Sequence, residues 1–187
     1  MKKFKMPSKS NLTGRISTIN NAFAISITPY IKPTEEEVEE MYKKLKLKEN
    51  QCAYCLNEAN SMDHLKPLVN NFLPTGYITN IKNLVPCCSS CNSSKGSRKF
   101  EDWYKDEKNR KRLYKRGMTE KQINERLKII KEYEKNVDEP LDYSKLLGEK
   151  LYEEYKEHRE NLEKILQEEQ KFCDELALQI QKKLNLN

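Results

Sequence analysis

Two cysteine pairs and one histidine carry most of the chemistry this sequence offers. Cys52-Ala53-Tyr54-Cys55 and Cys88-Ser89-Ser90-Cys91 are both CxxC turns, and Asp63-His64-Leu65-Lys66-Pro67 lies between them. Thiolates are soft ligands, and two such turns can bring four sulfurs to the tetrahedral geometry of a closed structural zinc site. Cys87 would pair with Cys91 only at the less regular CxxxC spacing and is read as a neighbouring thiol. Within that frame Asp63 offers a carboxylate to a hard divalent cation, His64 an imidazole that accepts a proton near neutral pH, and Asn92 a neutral oxygen. Together they could cut a phosphodiester. A water deprotonated by His64 would attack phosphorus, while a cation on Asp63 and Asn92 would stabilise the pentacovalent charge and the departing 3′ oxygen.

These groups need elements to position them. Asn, Ser, Pro and Gly crowd residues 51–98, which predicts turns and short strands. Pro74-Thr75-Gly76 reads as a turn between two extended arms, the second carrying Tyr77, Ile78, Ile81, Leu84 and Val85, so a hairpin is expected. Thr34 followed by Glu37 is a capping-box pattern that predicts a short helix through Val38, Met41, Tyr42 and Leu45. Lys99 to Arg116 reads as one basic helix stopped by Gly117, and Thr119 with Gln122 restarts helix.

Towards the ends of the chain the pattern changes. Ile16, Ile19, Phe23, Ile25 and Ile27 predict an extended, β-rich segment ending at Pro29, after a mobile basic arm over residues 1–14. From about Asp142, Leu147, Leu151, Tyr155, His158, Leu162, Ile165, Cys173, Leu176 and Ile180 keep mostly three- and four-residue steps. That spacing predicts a long amphipathic helix with Cys173 in the core and a stripe covered by the preceding helices or by another chain. The expected organisation is an N-terminal arm, extended segment and short helix over 1–49, a zinc-bearing core with its basic helix over 50–118, and a helical extension over 119–187.

Charge separates these parts further. The net balance is +6 over residues 1–33, −2 over 34–94, +7 over 95–135 and −5 over 136–187. Positive charge on both sides of the cysteine segment suits work on a polyanion. Lys95, Arg98, Lys99, Arg110, Lys111 and Arg112, interleaved with Trp103, Tyr104 and Tyr114, form either a backbone-gripping surface or a solvated helix face over an aromatic core. No stretch reaches the roughly 18 to 20 apolar residues of a membrane span, and the lysine-rich start lacks the apolar run of a secretion signal. The chain therefore reads as cytoplasmic with no membrane partner, where cysteines serve as metal ligands or buried thiols sooner than as disulfides.

The joint pattern Asp63-His64-Leu65-Lys66-Pro67, Asn83-Leu84-Val85-Pro86 and Cys88-Ser89-Ser90-Cys91-Asn92-Ser93-Ser94-Lys95-Gly96 resembles the HNH endonuclease family with its zinc-binding cysteines. The resemblance covers roughly residues 50–105. It implies an α+β fold with a small ββα-metal core, a structural zinc site on Cys52, Cys55, Cys88 and Cys91, and flanking helices. It further implies His64 as general base, Asp63 and Asn92 as ligands of a catalytic divalent cation, and Asn83 as the residue that orients the hairpin and the base. Asn92 stands where the family has His or Asn, which favours magnesium or manganese. Gly76-Tyr77 departs from the paired glycines common on the hairpin.

Each of these residues also has a plainer use. His64 could be structural, Asn83 could cap a turn and Asn92 could cap a helix, whereas His158 has no constellation of its own and belongs on a helix surface. The reading taken forward is a metal-dependent endonuclease acting on DNA. Its alternative is a noncatalytic zinc module that binds nucleic acid or protein. A third reading combines the two: the C-terminal helix docks on a partner protein or a second copy, in a setting such as phage defence, if the apolar stripe is not covered by the preceding helices.

Overall fold

Thr34 starts its helix as the sequence predicts. Its hydroxyl accepts from the Glu37 amide at 3.2 Å while the Glu37 carboxylate accepts from the Thr34 amide at 2.9 Å. The computed structural model describes residues 6–185, so residues 1–5 of the basic arm lie outside the described part. Their helices and strands group into two compact units, one spanning Ile27–Asp142 and a helical one joining residues 6–26 to 143–185. The divisions expected at 49/50 and 118/119 both fall within the Ile27–Asp142 unit.

The helical unit contains α1 (Ile16–Ser26), α7 (Tyr143–Leu147) and α8 (Glu149–Lys183). Residues 16–26 are helical and not extended, contrary to the β-rich reading. Ile16, Ile19, Asn20, Phe23 and Ala24 are the covered positions, and their three- and four-residue steps prevail over β-branched composition. Phe23 stacks on Tyr155 at 5.0 Å, and Asn20 donates to Glu163 at 3.2 Å. Gly148, at φ 80°, interrupts the expected long helix and separates α7 from α8. The half-covered positions of α8 run through Tyr152, Tyr155, Arg159, Leu162, Leu166 and Gln170. Cys173 is exposed and not core, since the expected stripe drifts off that face by the last turns. Phe172, Leu176, Leu178 and Ile180 are exposed, and so is His158, 3.9 Å from Glu154. Among the described residues no helix is long and apolar enough to cross a membrane.

The other unit is α+β. After α2 (Glu35–Lys44), β1 (Ser61–His64) pairs antiparallel with β4 (Leu84–Cys87), setting Asp63 opposite Val85 and His64 opposite Leu84. A second small hairpin, β2 (Val69–Asn70) with β3 (Leu73–Pro74), sits in the connection. Its turn is Asn71-Phe72, not Pro74-Thr75-Gly76. Both residues have positive φ, 49° and 62°, as a two-residue turn that matches strand twist demands, and Asn tolerates that region. Gly76 serves a close approach instead. It has φ 90°, its carbonyl accepts from the Leu141 amide at 2.9 Å, and an added Cβ would lie 2.2 Å from the Leu141 oxygen.

Four helices complete the unit: α3 (Ser89–Lys95), α4 (Phe100–Lys105), α5 (Glu107–Lys115) and α6 (Glu120–Glu134). The single basic helix expected over 99–116 is broken at Asp106, whose extended backbone ends α4 and whose carboxylate caps α5 at the Asn109 amide, 3.0 Å away. Tyr114 is exposed, whereas Trp103 and Tyr104 are fully buried and belong to the core. They pack with Tyr54 at ring distances of 5.4 and 6.2 Å, over a core shared with Met41, Leu45, Leu113, Ile123 and Ile130. Burying aromatics of this size supplies much of what holds so polar a chain together.

Candidate active site and metal centre

The first knuckle is shaped by its own backbone. The Cys52 amide donates to the Asn57 carbonyl at 2.7 Å, the Leu56 amide returns to Cys52 at 2.9 Å, and Leu56 takes a positive φ of 63° to close the turn. The Ala53 amide donates to Pro86 of β4 at 2.7 Å, fixing that knuckle beside the second one. Cys88 then stands at the start of α3, where Asn60 accepts from the Ser89 amide at 2.9 Å. Cys52, Cys55, Cys88 and Cys91 are all buried, and their sulfurs lie within 4.8 Å of one another. Cys55 and Cys88 are 3.7 Å apart at sulfur, close to the roughly 3.8 Å that a tetrahedron of 2.3 Å zinc–sulfur bonds requires. This cluster is compatible with a zinc site. Cys87 points elsewhere, with its sulfur 3.2 Å from the Ser61 hydroxyl, and burial pushes its thiol up to about 11.

Side chains alternate along β1, so Asp63 and His64 leave the strand on opposite faces. Asp63 is turned inward and is only 6% exposed. Its Oδ2 accepts from the Tyr54 hydroxyl at 2.5 Å and pairs with Lys95 Nζ at 2.9 Å. Burial, with the Asp63 charge beside it, holds the Tyr54 phenol well above its usual range, so it remains a donor. Lys95, expected on a backbone-gripping surface, is instead buried, and it also donates to the His64 carbonyl at 3.0 Å. Tyr54 and Lys95 thus fix Asp63 and the strand that carries His64, a use that CxxC spacing and a charge run do not reveal.

His64 is half-buried. Its Nε2 lies 3.0 Å from the Thr79 hydroxyl, which leaves Nδ1 as the nitrogen for water. Burial lowers the imidazole pKa, helped by the Lys95 charge and opposed by Asp63, so the neutral, proton-accepting ring prevails at neutral pH. Thr79 is in turn held by residues 29–31: its amide donates to Pro29 at 3.0 Å, and its carbonyl accepts from Ile31 at 2.8 Å. No motif in the sequence marks Thr79.

Asn83 is 1% exposed and bridges both ends of the loop between β1 and β4. Its amide nitrogen donates to the Lys66 and Ile78 carbonyls, each at 3.1 Å, and its amide oxygen accepts from the Lys66 amide at 2.8 Å. Asn92 projects from α3 onto β1, where Nδ2 donates to the Met62 carbonyl at 3.3 Å and turns the amide oxygen away from the strand. Asp63 is thus engaged by Tyr54 and Lys95 on the face of β1 opposite His64, while Asn92 rests on the backbone of the same strand.

The other expected nucleic-acid contacts differ in how open they are. Arg98 and Lys99 are exposed; Arg98 lies 3.7 Å from Asp106 and also donates to the Ser94 carbonyl. Lys111 is exposed with Glu107 at 2.6 Å, and Arg112 reaches the Ser90 carbonyl at 3.4 Å. Arg110 is engaged by Glu120 and Tyr114.

Residues 52–98 match the family model of the HNH endonuclease, the span that contains every cysteine of the cluster together with Asp63, His64, Asn83 and Asn92. No curated protein and no solved structure matches the chain. The HNH match supports a function of the nuclease family.

Proposed function

We propose that the chain is a divalent-metal-dependent endonuclease that hydrolyses phosphodiester bonds in DNA, with His64 as general base. The observation that carries this reading is the half-buried, neutral His64 held at Nε2 by Thr79, within the matched span that also contains Asp63 and Asn92. Nδ1 of His64 takes the proton of an attacking water, and the Lys95 bond to the His64 carbonyl keeps the strand in place while it does so. Asp63 and Asn92 would hold the cation, magnesium or manganese, which would offset charge on the phosphate and on the departing 3′ oxygen. Asn83 maintains the loop that presents the ring, and exposed Lys99 and Lys111 meet backbone phosphates.

A plasmid-nicking assay with magnesium tests this reading. His64→Ala is expected to reduce the nicking rate by about 10²- to 10⁴-fold, the usual worth of a general base. Equal rates in the two proteins remove His64 from the mechanism. The buried Asp63–Lys95 pair favours a second reading, a noncatalytic zinc module that binds nucleic acid or protein. Binding of DNA without cleavage at any magnesium or manganese concentration would select it.

A further inference from the structure

Four thiolates around a divalent zinc ion carry a net charge of −2, and here all four sulfurs are buried. Something must balance that charge where water cannot. Nη1 of Arg116 donates to Cys88 Sγ at 3.0 Å and to Cys55 Sγ at 3.2 Å, and it lies 3.8 Å from Cys91 Sγ. One guanidinium nitrogen thus reaches three of the four sulfurs. Arg116 is also the residue that ends α5, its amide donating to the Leu113 carbonyl at 3.0 Å, and Gly117 at φ 86° then turns the chain towards α6.

A second arginine approaches from α6. Arg126 is 3% exposed, and it donates through Nε to the Ala53 carbonyl at 2.8 Å and through Nη1 to the Leu45 carbonyl at 2.6 Å. Ala53 sits inside the first knuckle, so this cation grips the backbone between Cys52 and Cys55. Its Nη2 is buried with no hydrogen-bond partner among the described residues, which leaves a positive charge that neighbouring anions must balance. Both arginines lie beyond residue 98, outside the matched span.

We infer that Arg116, supported by Arg126, is the counter-ion of the zinc thiolate centre, and that it docks α5 onto the knuckles more tightly when the metal is bound. Neutral thiols are weak acceptors, whereas zinc holds its ligands as thiolates, the acceptors Arg116 needs. By linkage, whatever zinc adds to the docking of α5, the docked helix adds to zinc affinity. Exposed Lys111 of α5 would then be presented in a metal-dependent way. This inference rests on the zinc reading of the cluster and is independent of whether the chain cuts DNA.

The test uses the full chain, loaded with zinc or stripped of it, as wild type, Arg116→Ala, Arg116→Lys and the neighbouring control Lys115→Ala. Zinc affinity is measured by competition with a chromophoric chelator, and backbone hydrogen exchange is followed over residues 107–115. Arg116→Ala is expected to weaken zinc binding by about 10- to 100-fold, as loss of a ligand's hydrogen-bond partner commonly does. Arg116→Lys should recover part of that loss, and Lys115→Ala should match wild type. Zinc should slow exchange in α5 of wild type, and less so in Arg116→Ala. Equal zinc affinity in wild type and Arg116→Ala overturns the inference. So does exchange in wild-type α5 that ignores zinc, a readout that stands even if a variant fails to fold. The cobalt-loaded wild type separates the two levels: absence of a sulfur-to-cobalt charge-transfer band would remove the zinc reading itself, and this inference with it.

Discussion

Asp63 Oδ2 and Lys95 Nζ lie 2.9 Å apart, with the lysine side chain fully buried and the aspartate side chain 7% exposed. Removing one partner of such a pair leaves an uncompensated buried charge, at a cost of about 3 to 5 kcal/mol. Lys95→Met should therefore destabilise strongly, while Asp63→Asn with Lys95→Met should restore part of the loss. A double-mutant cycle by urea unfolding measures the coupling, and additive effects would show that the pair does not act as a unit.

Asn83 makes three side-chain hydrogen bonds from a position that water does not reach. Asn83→Ala should leave two carbonyls and one amide short of a partner and lower stability by about 3 kcal/mol or more. It should also cut nicking activity below what the remaining folded fraction explains, because the loop it staples carries Thr79. Denaturant midpoints and rates measured on the same preparations separate the two effects.

Zinc content should be one ion per chain by elemental analysis. Cys52→Ser should lose it, whereas Cys87→Ser and Cys173→Ser should retain it, since Cys87 faces Ser61 and Cys173 is exposed. Loss of the ion in Cys87→Ser would move the fourth ligand from Cys88 to its neighbour.

Gly76→Ala would set a Cβ 2.2 Å from the Leu141 oxygen at a residue with φ 90°. Strain at positive φ alone costs about 1 to 3 kcal/mol, and the contact with backbone adds to it. A drop in unfolding free energy of about 3 kcal/mol is expected, and a neutral result would mean that the Leu141 segment can move aside.

Lys99, just before α4, and Lys111, on α5, are exposed and should each contribute one phosphate contact. Their alanine variants, assayed with the His64→Ala background to prevent cleavage, should each lower the slope of log affinity against log salt by about 1. An unchanged slope places the DNA on another face.

The site was more legible in the sequence than the elements around it. CxxC spacing fixes each pair as a local turn, and the Ala53–Pro86 bond between the two segments brings Cys52, Cys55, Cys88 and Cys91 together. Asp63 was read as a ligand open to a cation, and its inward face with Lys95 and Tyr54 was not visible, because one residue of strand register decides which side is buried. Residues 16–26 misled through composition: isoleucine favours strands, but covered positions three and four residues apart make α1. Trp103 and Tyr104 could not be assigned to core or surface until α4 and α5 were seen to part at Asp106. Arg116 looked like one base among many, since its distinction is contact with sulfur from residues far away in the chain.

The family match stops at residue 98, yet the groups that seal its interior arrive later. Tyr104 donates to the Tyr54 carbonyl at 2.8 Å, Arg126 holds Ala53, and Leu141 lies across Gly76. A cassette excised at the family limits would expose Tyr54 to solvent and forfeit the lid over its first knuckle. Anyone transplanting the segment matched by the HNH model into another protein would have to carry the chain through Leu141 for the graft to hold its shape.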